Sequence, residues 1–226
     1  WMTEKEIETN WEHTATYDTG AVVLDGLNTD GEYDDAMTLD MWYDGGYPEF
    51  PNNTMKFNWR VDEDNVYLWA DITPDNTSDS GWDYMYIFLD FDGDGVVNES
   101  EGEVLLQLEH QGSSGEILIW SEPQWQNRDE GGTWGLWSDN VTTNYTVLGV
   151  DANVTFDSSP NEEYDHMQYE FRIPRAMMPE NTTYFNYYIM GYGTLPSYGY
   201  PTTQGYPLST WNDGTNYTYG FDDYST

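Results

Sequence analysis

Apolar and polar residues alternate most strictly in the stretch Thr54–Val61. Met55, Phe57, Trp59 and Val61 fall on one face, and Lys56, Asn58 and Arg60 on the other. A polar turn at 62–65 follows, after which Val66, Leu68, Ala70 and Ile72 again share a face. Two period-2 runs around a short polar turn predict a β-hairpin. Alternation of the same kind predicts strands at 82–89, 103–109, 116–120, 145–156, 166–173 and 183–192, with shorter ones at 21–26 and 36–42. Proline brackets 174–179, which limits that stretch to one helical turn. From Gly193 the chain is rich in Tyr, Gly and Pro and alternates little. Short strands, Gly and Pro punctuation and the lack of a long helical pattern predict an all-β fold. The expected architecture is a two-sheet antiparallel β-sandwich, jelly-roll-like, in a single domain over 21–226. Residues 1–20 have no face wide enough to hold themselves in a core. They are expected either to dock on their own domain or to add as a strand to a neighbouring subunit.

Between two of these strands lies Asp90-Phe-Asp-Gly-Asp-Gly-Val-Val-Asn-Glu-Ser-Glu101. Its spacing is that of a calcium loop. Asp90, Asp92 and Asp94 stand at positions 1, 3 and 5, and Gly95 supplies the sharp turn at 6. Val96 offers a backbone carbonyl at 7, Asn98 acts at 9, and Glu101 closes the site at 12. An EF-hand would have a helix on each side, whereas both flanks here alternate as strands. The expectation is a calcium loop joining two strands.

Composition reinforces the need for cations. The 226 residues include 42 acidic and 6 basic ones, a net charge of −36. Such a surface repels nucleic acid and anionic membranes, and its self-repulsion destabilises a compact state unless salt or bound cations offset it. Aromatic residues make up 17% of the chain, with 11 Trp and 20 Tyr, which excludes a disordered tail as the main reading. Cysteine is absent, so neither disulfides nor thiolate metal sites exist. No apolar run approaches the roughly 18 residues of a membrane helix. The first residue, Trp1, suggests that a signal segment has been removed. Glycosylation sequons stand at Asn52, Asn76, Asn98, Asn140, Asn144, Asn153, Asn181 and Asn216, well above the roughly three expected by chance. They favour an extracellular or cell-surface glycoprotein. A glycan on Asn98 would compete with the calcium loop, so that sequon is expected to be bare.

Four stretches then occur in a recognisable order. They are Asp25-Gly26 with Gly31-Glu-Tyr-Asp-Asp-Ala36; Asn58-Trp-Arg-Val-Asp-Glu-Asp-Asn-Val-Tyr-Leu-Trp-Ala70; Tyr86-Ile-Phe-Leu-Asp-Phe-Asp-Gly-Asp-Gly95; and Tyr169-Glu-Phe-Arg-Ile-Pro174. Over about residues 21–192 the chain resembles family-9-type carbohydrate-binding modules and the related DOMON-like β-sandwiches. The resemblance implies two packed antiparallel sheets, often with bound calcium, and ligand binding rather than catalysis. The tryptophans with which sugar-binding members clamp a glycan do not align with definite positions here. Some DOMON relatives bind haem through Met and His or Lys. Met85, Met167, Met190, His110 and His166 are present, but methionine on a strand is more often core packing.

Catalysis finds no constellation. The histidines, His13, His110 and His166, come without a nucleophile motif, and 42 carboxylates guarantee accidental acid pairs. The loop running from Trp120 through Trp125 and Trp134 to Trp137 reads as a sugar-stacking platform, with Gln124, Asn127 and Arg128 as hydroxyl partners, or equally as the cover of an open sheet edge or a subunit interface. Core packing is a further reading of the same rings. The sequence reading favours a secreted, glycosylated, calcium-stiffened structural protein that self-associates into an extracellular filament or surface layer by β-strand addition. The alternative is a non-catalytic carbohydrate-binding module with glycans as partners. Under either reading a chelator is expected to lower the melting temperature, because calcium binds the folded loop and not the unfolded chain. Thermal melts with and without EGTA check this, and an unchanged midpoint would count against the loop.

Overall fold

The computed structural model describes residues 15–18, 20–42, 54–73, 75–79, 83–91, 104–111, 114–120, 141–142, 149–180, 182, 185–192 and 203–206. These residues form two six-stranded sheets. The first holds β1 (Thr16–Tyr17), β2 (Met37–Trp42), β3 (Thr54–Val61), β4 (Asn65–Ile72), β9 (Asp151–Ser159) and β10 (Glu162–Pro174). The second holds β5 (Tyr84–Asp90), β6 (Val104–Gln111), β7 (Ser114–Trp120), β8 (Val141–Thr142), β11 (Asn186–Tyr192) and β12 (Thr203–Tyr206), in the order β12-β11-β5-β6-β7-β8. The expected hairpin is β3–β4, with Val61 opposite Val66.

Inward-pointing residues of both sheets meet in one core. Phe57, Trp59, Leu68, Ala70, Ile72, Tyr169 and Phe171 from the first sheet join Met85, Ile87, Leu89, Leu106, Leu108 and Ile189 from the second. The chain is therefore an all-β sandwich, and among the described residues its strand pairs are antiparallel apart from one. That exception is β1, which runs parallel to β3 through Thr16 opposite Arg60 and Tyr17 opposite Val61. Strands β1 and β2 share the same edge of β3, since β2 pairs with the stretch from Thr54 to Trp59. The described end of the N-terminal arm thus docks on its own sheet. Among the described residues the only helical turns are 3-10 turns at Thr29–Gly31 and Arg175–Met177, the second within the proline-bracketed stretch.

Two expectations need correction. Residues 21–26 are not a strand. Their amides turn to side chains instead of a neighbouring ladder: Val23 donates to Glu32 (2.7 Å), and Asp25 and Gly26 donate to Glu170 (2.9 and 2.8 Å). The Tyr-, Gly- and Pro-rich tail, for its part, contains β12, which pairs with β11 from Ile189 to Tyr192. Backbone pairing rather than side-chain alternation defines that strand. Of the expected strand 145–156, the described part begins at Asp151 and continues to Ser159.

The segment 20–36 lies across the outer face of the first sheet, and Gly26 is its closest approach. Its φ of +84° is left-handed, and a Cβ there would stand 3.1 Å from both the amide nitrogen and Cβ of Thr155. Only glycine meets both demands without strain. Gly26→Ala is expected to cost about 2 kcal/mol of stability, measurable as a lower urea midpoint at an unchanged slope.

Candidate functional site

Asp90 ends β5, opposite Asn186 of β11, and the next residue, Phe91, is buried in the core. The other proposed calcium ligands, Asp92, Asp94, Val96, Asn98 and Glu101, lie outside the described residues. Trp120 ends β7, while Trp125, Trp134 and Trp137 also lie outside them. The ladder nevertheless fixes where both loops leave the sheet. Leu89 pairs with Val104, and Leu105 pairs with Trp120. The β5–β6 and β7–β8 connections therefore depart from the same end of the second sheet. Among the sequons, Asn76 is exposed. Asn153, on β9, is half-buried, and its Nδ2 donates to the carbonyl of Leu24 at 3.4 Å. Asn52, Asn140, Asn144, Asn181 and Asn216 fall outside the described residues.

The most ordered polar chemistry lies under the segment 20–36. β4 and β10 are central strands, and side chains on both of their faces are buried. Leu68 and Phe171 face the core, while Trp69, Asp71, Gln168 and Glu170 face outward and are still enclosed. Glu170 accepts from the Asp25 and Gly26 amides through Oε2 and from the Tyr33 hydroxyl through Oε1 (2.8 Å). Burial pushes its carboxyl up to about 7, against the lowering effect of the Gly26 amide and the Tyr33 hydroxyl. Burial and the neighbouring Glu170 raise the Tyr33 phenol, whose ring stacks on Trp69 with centroids 5.7 Å apart. Arg60, 2% exposed, donates to the carbonyls of Glu32 and Gly20 and pairs with Asp18 at 3.0 Å.

Beside this layer, Asp71 accepts from His166 Nε2 (2.5 Å), Ser159 (2.9 Å) and Asn161 Nδ2 (2.6 Å). Burial alone would lower the His166 imidazole, but the Asp71 carboxylate outweighs it and the net direction is upward. His166 Nδ1 is engaged with the Tyr164 carbonyl at 2.8 Å, so neither ring nitrogen is left for a haem or metal ion. His110 contacts Ser78 through Nε2 (2.8 Å), and burial lowers its imidazole. Met85 and Met167 pack in the core. These groups are committed to one another. They hold the fold; His110 Nδ1 is the exception, with no hydrogen-bond partner among the described residues. Sequence reasoning placed Glu170, Tyr33 and Asp25-Gly26 within separate motifs without linking them. The shared order of those motifs was the signal, because one carboxylate joins them.

Surface grooves among the described residues include two open ones. One is bordered by Asp18, Gly20, Val23, Asp35 and Arg60, the other by Glu63, Arg175, Met178 and Thr182. Neither is lined by an aromatic ring, which a sugar face would need for stacking.

No family model and no curated protein matches the sequence. Among solved structures, the chain is similar to a carbohydrate binding module family 9 from Caldicellulosiruptor kristjanssonii in complex with cellotriose. The identity is 16% and the TM-score 0.50, over 83% of this chain and 80% of that one. The fold is that of a family-9 carbohydrate-binding module. The glucose complex of a family 9 module from the same organism matches at 16% identity and a TM-score of 0.49, over 83% of this chain and 81% of that one. In this family-9-like sandwich, the described helices include none long and apolar enough to cross a membrane.

The Glu170 carboxyl makes stability depend on pH in a definite direction. Its folded pKa, about 7, lies above the ordinary 4.5. The folded state therefore holds the proton more tightly, and the stabilisation is complete below about 4.5 and lost as pH rises through about 7. Glu170→Gln cannot ionise, so its melting temperature is expected to gain on the wild type between pH 5 and pH 8.5. Slopes from the other carboxylates cancel in that comparison. Parallel thermal melts at the two pH values check it, and a constant difference would remove the assignment.

Proposed function

We propose that the chain is a carbohydrate-binding module that recognises glycan without cleaving it. The observation that carries this reading is the two-sheet sandwich itself, which matches over most of its length a module holding cellotriose. Fold likeness leaves the site to be argued separately. The aromatic loop 121–140 is the natural binding surface, because it connects neighbouring strands β7 and β8 at one edge of the second sheet. Its tryptophan rings would stack on sugar faces, and Gln124, Asn127 and Arg128 would hydrogen-bond hydroxyls. The two grooves named above have no aromatic lining to compete with it.

A calcium ion in the loop 90–101 would stiffen the same end of the sheet and lower the ordering cost of the binding loop. In this reading the protein works outside the cell and carries glycans on exposed sequons such as Asn76. Self-assembly by strand addition has no observation in its favour among the described residues: Thr16 and Tyr17 pair with β3 of their own chain. Donation to a neighbour would have to use residues before Ala15.

Affinity electrophoresis on a panel of soluble β-glucans and other polysaccharides, followed by calorimetry with cello-oligosaccharides, tests the proposal. Saturable retention is expected on at least one glycan. Replacing the essential ring among Trp125, Trp134 and Trp137 by Ala is expected to weaken binding roughly tenfold, the equivalent of about 1.4 kcal/mol. Absence of retention across the panel, or binding indifferent to all three replacements, would overturn it.

A further inference from the structure

The stretch that carries the chain from β4 to β5 brings carboxylates into the interior at the end of the sandwich away from the loop 90–101. Asp75 is pinned to the first sheet: its amide donates to Ile72 (2.9 Å) and its carbonyl accepts from the Met167 amide (3.0 Å). Asp83 is pinned to the second, its carbonyl accepting from the His110 amide at 2.9 Å. Both side chains are 0% exposed. Asp83 Oδ2 accepts from the Asp79 amide (2.6 Å). Asp83 Oδ1 has no hydrogen-bond partner among the described residues, and the carboxylate oxygens of Asp75 have none at full hydrogen-bond geometry. The Thr77 amide and hydroxyl favour the ionised form of Asp75 without outweighing its burial. A separate strand supplies a further unsatisfied group. Tyr169 of β10 is fully buried, and its hydroxyl also lacks a partner. The charges of Asp75 and Asp83 add to burial in raising the Tyr169 phenol, so its hydroxyl lies within their field.

Unpaired carboxylates are rarely left buried, because their desolvation goes uncompensated; they are protonated, paired with a cation or bound to metal. The described arginines are engaged elsewhere. Arg60 pairs with Asp18 and Arg172 with Asp151, while Arg175 donates to the carbonyls of Asp62 and Glu63. We propose that Asp75 and Asp83 hold a hard divalent cation of the calcium class between the two sheets, with the Tyr169 hydroxyl donating to a ligating carboxylate or to a metal-bound water. Asp79 borders the site from its exposed side. The available donors are all oxygen, which suits calcium or magnesium and not zinc or copper. Burial, reinforced by the neighbouring charges of Asp83 and Asp79, raises the Asp75 carboxyl well above its ordinary range. Burial takes the Asp83 carboxyl up to about 7, with Asp79 adding to it. A single shared proton would relieve one of the charges and leave the remaining oxygens unsatisfied; a cation meets them together. The site is independent of the sequence-read loop, since β5 separates Asp83 from Asp90 by about 24 Å at strand rise. It is also independent of glycan binding.

The test uses the full chain with Asp92→Asn and Asp94→Asn, which disable the loop 90–101. After EGTA treatment, calcium chloride at about a hundred times its Kd is expected to raise the melting temperature by about 5–10 °C. Equilibrium dialysis should find one ion per chain. Adding Asp75→Asn and Asp83→Asn should abolish both effects, and in EGTA the protein should melt no lower than its parent, because two buried charges are gone. Should that variant fail to fold, Asp83→Asn alone is expected to weaken calcium binding at least tenfold. The proposal is overturned if the loop-disabled protein shows no calcium-dependent shift. It is equally overturned if the shift survives both replacements, or if Asp83→Asn leaves the affinity unchanged. Stabilisation by Asp75→Asn with no calcium response in the parent would identify a proton-sharing acid pair instead.

Discussion

Burial of β4 and β10 on both faces is the constraint from which the rest of this sandwich follows. An antiparallel sheet in a sandwich commonly leaves its outer face to water. Here residues 20–36 cover that face, and they do so without a strand and with no helical structure beyond the 3-10 turn at Thr29–Gly31. A covering segment that forms no ladder still has to satisfy its amides and carbonyls. Side chains of the covered sheet, and of the segment itself, perform that task. Glu170 receives the Asp25 and Gly26 amides, and Arg60 reaches the carbonyls of Gly20 and Glu32. Glu32 turns back on the Val23 amide. The polar residues that alternate with the core positions of β3 and β10 are therefore the acceptors and donors that make the cover possible. They are not solvated ornaments of an exposed face.

This arrangement gives a strongly acidic chain a use for buried carboxylates. Glu170 and Asp71 each collect several donors, and a carboxylate with its hydrogen-bonding capacity filled is far cheaper to bury than a bare one. Asp71 gathers His166, Ser159 and Asn161 at the β9–β10 turn, so one acid fixes that hairpin against β4. The scarcity of basic residues sharpens the contrast with Asp75 and Asp83. Their environment is as dry, but their oxygens find no donors of comparable number. Within one protein, filled and unfilled buried acids can be compared directly. The difference between them is what argues that Asp75 and Asp83 bind a cation.

Strand positions were legible wherever one face was apolar and the other polar. β3, β4, β5, β6 and β10 all alternate, and the β3–β4 pairing follows from its short turn, whereas the pairing of β10 with β4 is long-range. Failure came where local pattern and long-range pairing disagree. The run Ala21-Val-Val-Leu-Asp-Gly26 has the composition of a strand, yet its amides bind carboxylates far along the chain: Glu170 lies 145 residues beyond Asp25. No local period encodes such a partner. β12 was missed for the opposite reason, since a Tyr- and Gly-rich tail without alternation borrows its extended form from β11. The calcium-loop spacing at 90–101 stands out because its glycine and carboxylates are contiguous. Asp75 and Asp83 lie in the one connection from β4 to β5, with nothing in their spacing to mark them among 42 acidic residues, and only the fold shows that both are buried near Tyr169 of the distant β10.

The two cation positions have a mechanical relation through β5. Asp83 precedes the strand and Asp90 closes it, so ions at both ends would clamp β5 along its whole length. The Asp75–Asp83 position joins the first sheet to the second, where the connection between β4 and β5 has no hairpin geometry to hold it. The loop 90–101 instead joins neighbours within the second sheet, β5 and β6, whose ladder already runs from Leu89–Val104 to Tyr84–Glu109. An ion at the first position would therefore contribute to sheet–sheet cohesion. An ion at the second would chiefly set the conformation of the loop and the stiffness of that end, where the aromatic connection 121–140 also departs. Both would reduce the self-repulsion of a chain carrying −36 charges. Stability and binding-loop order would then depend on the same ion through different sites.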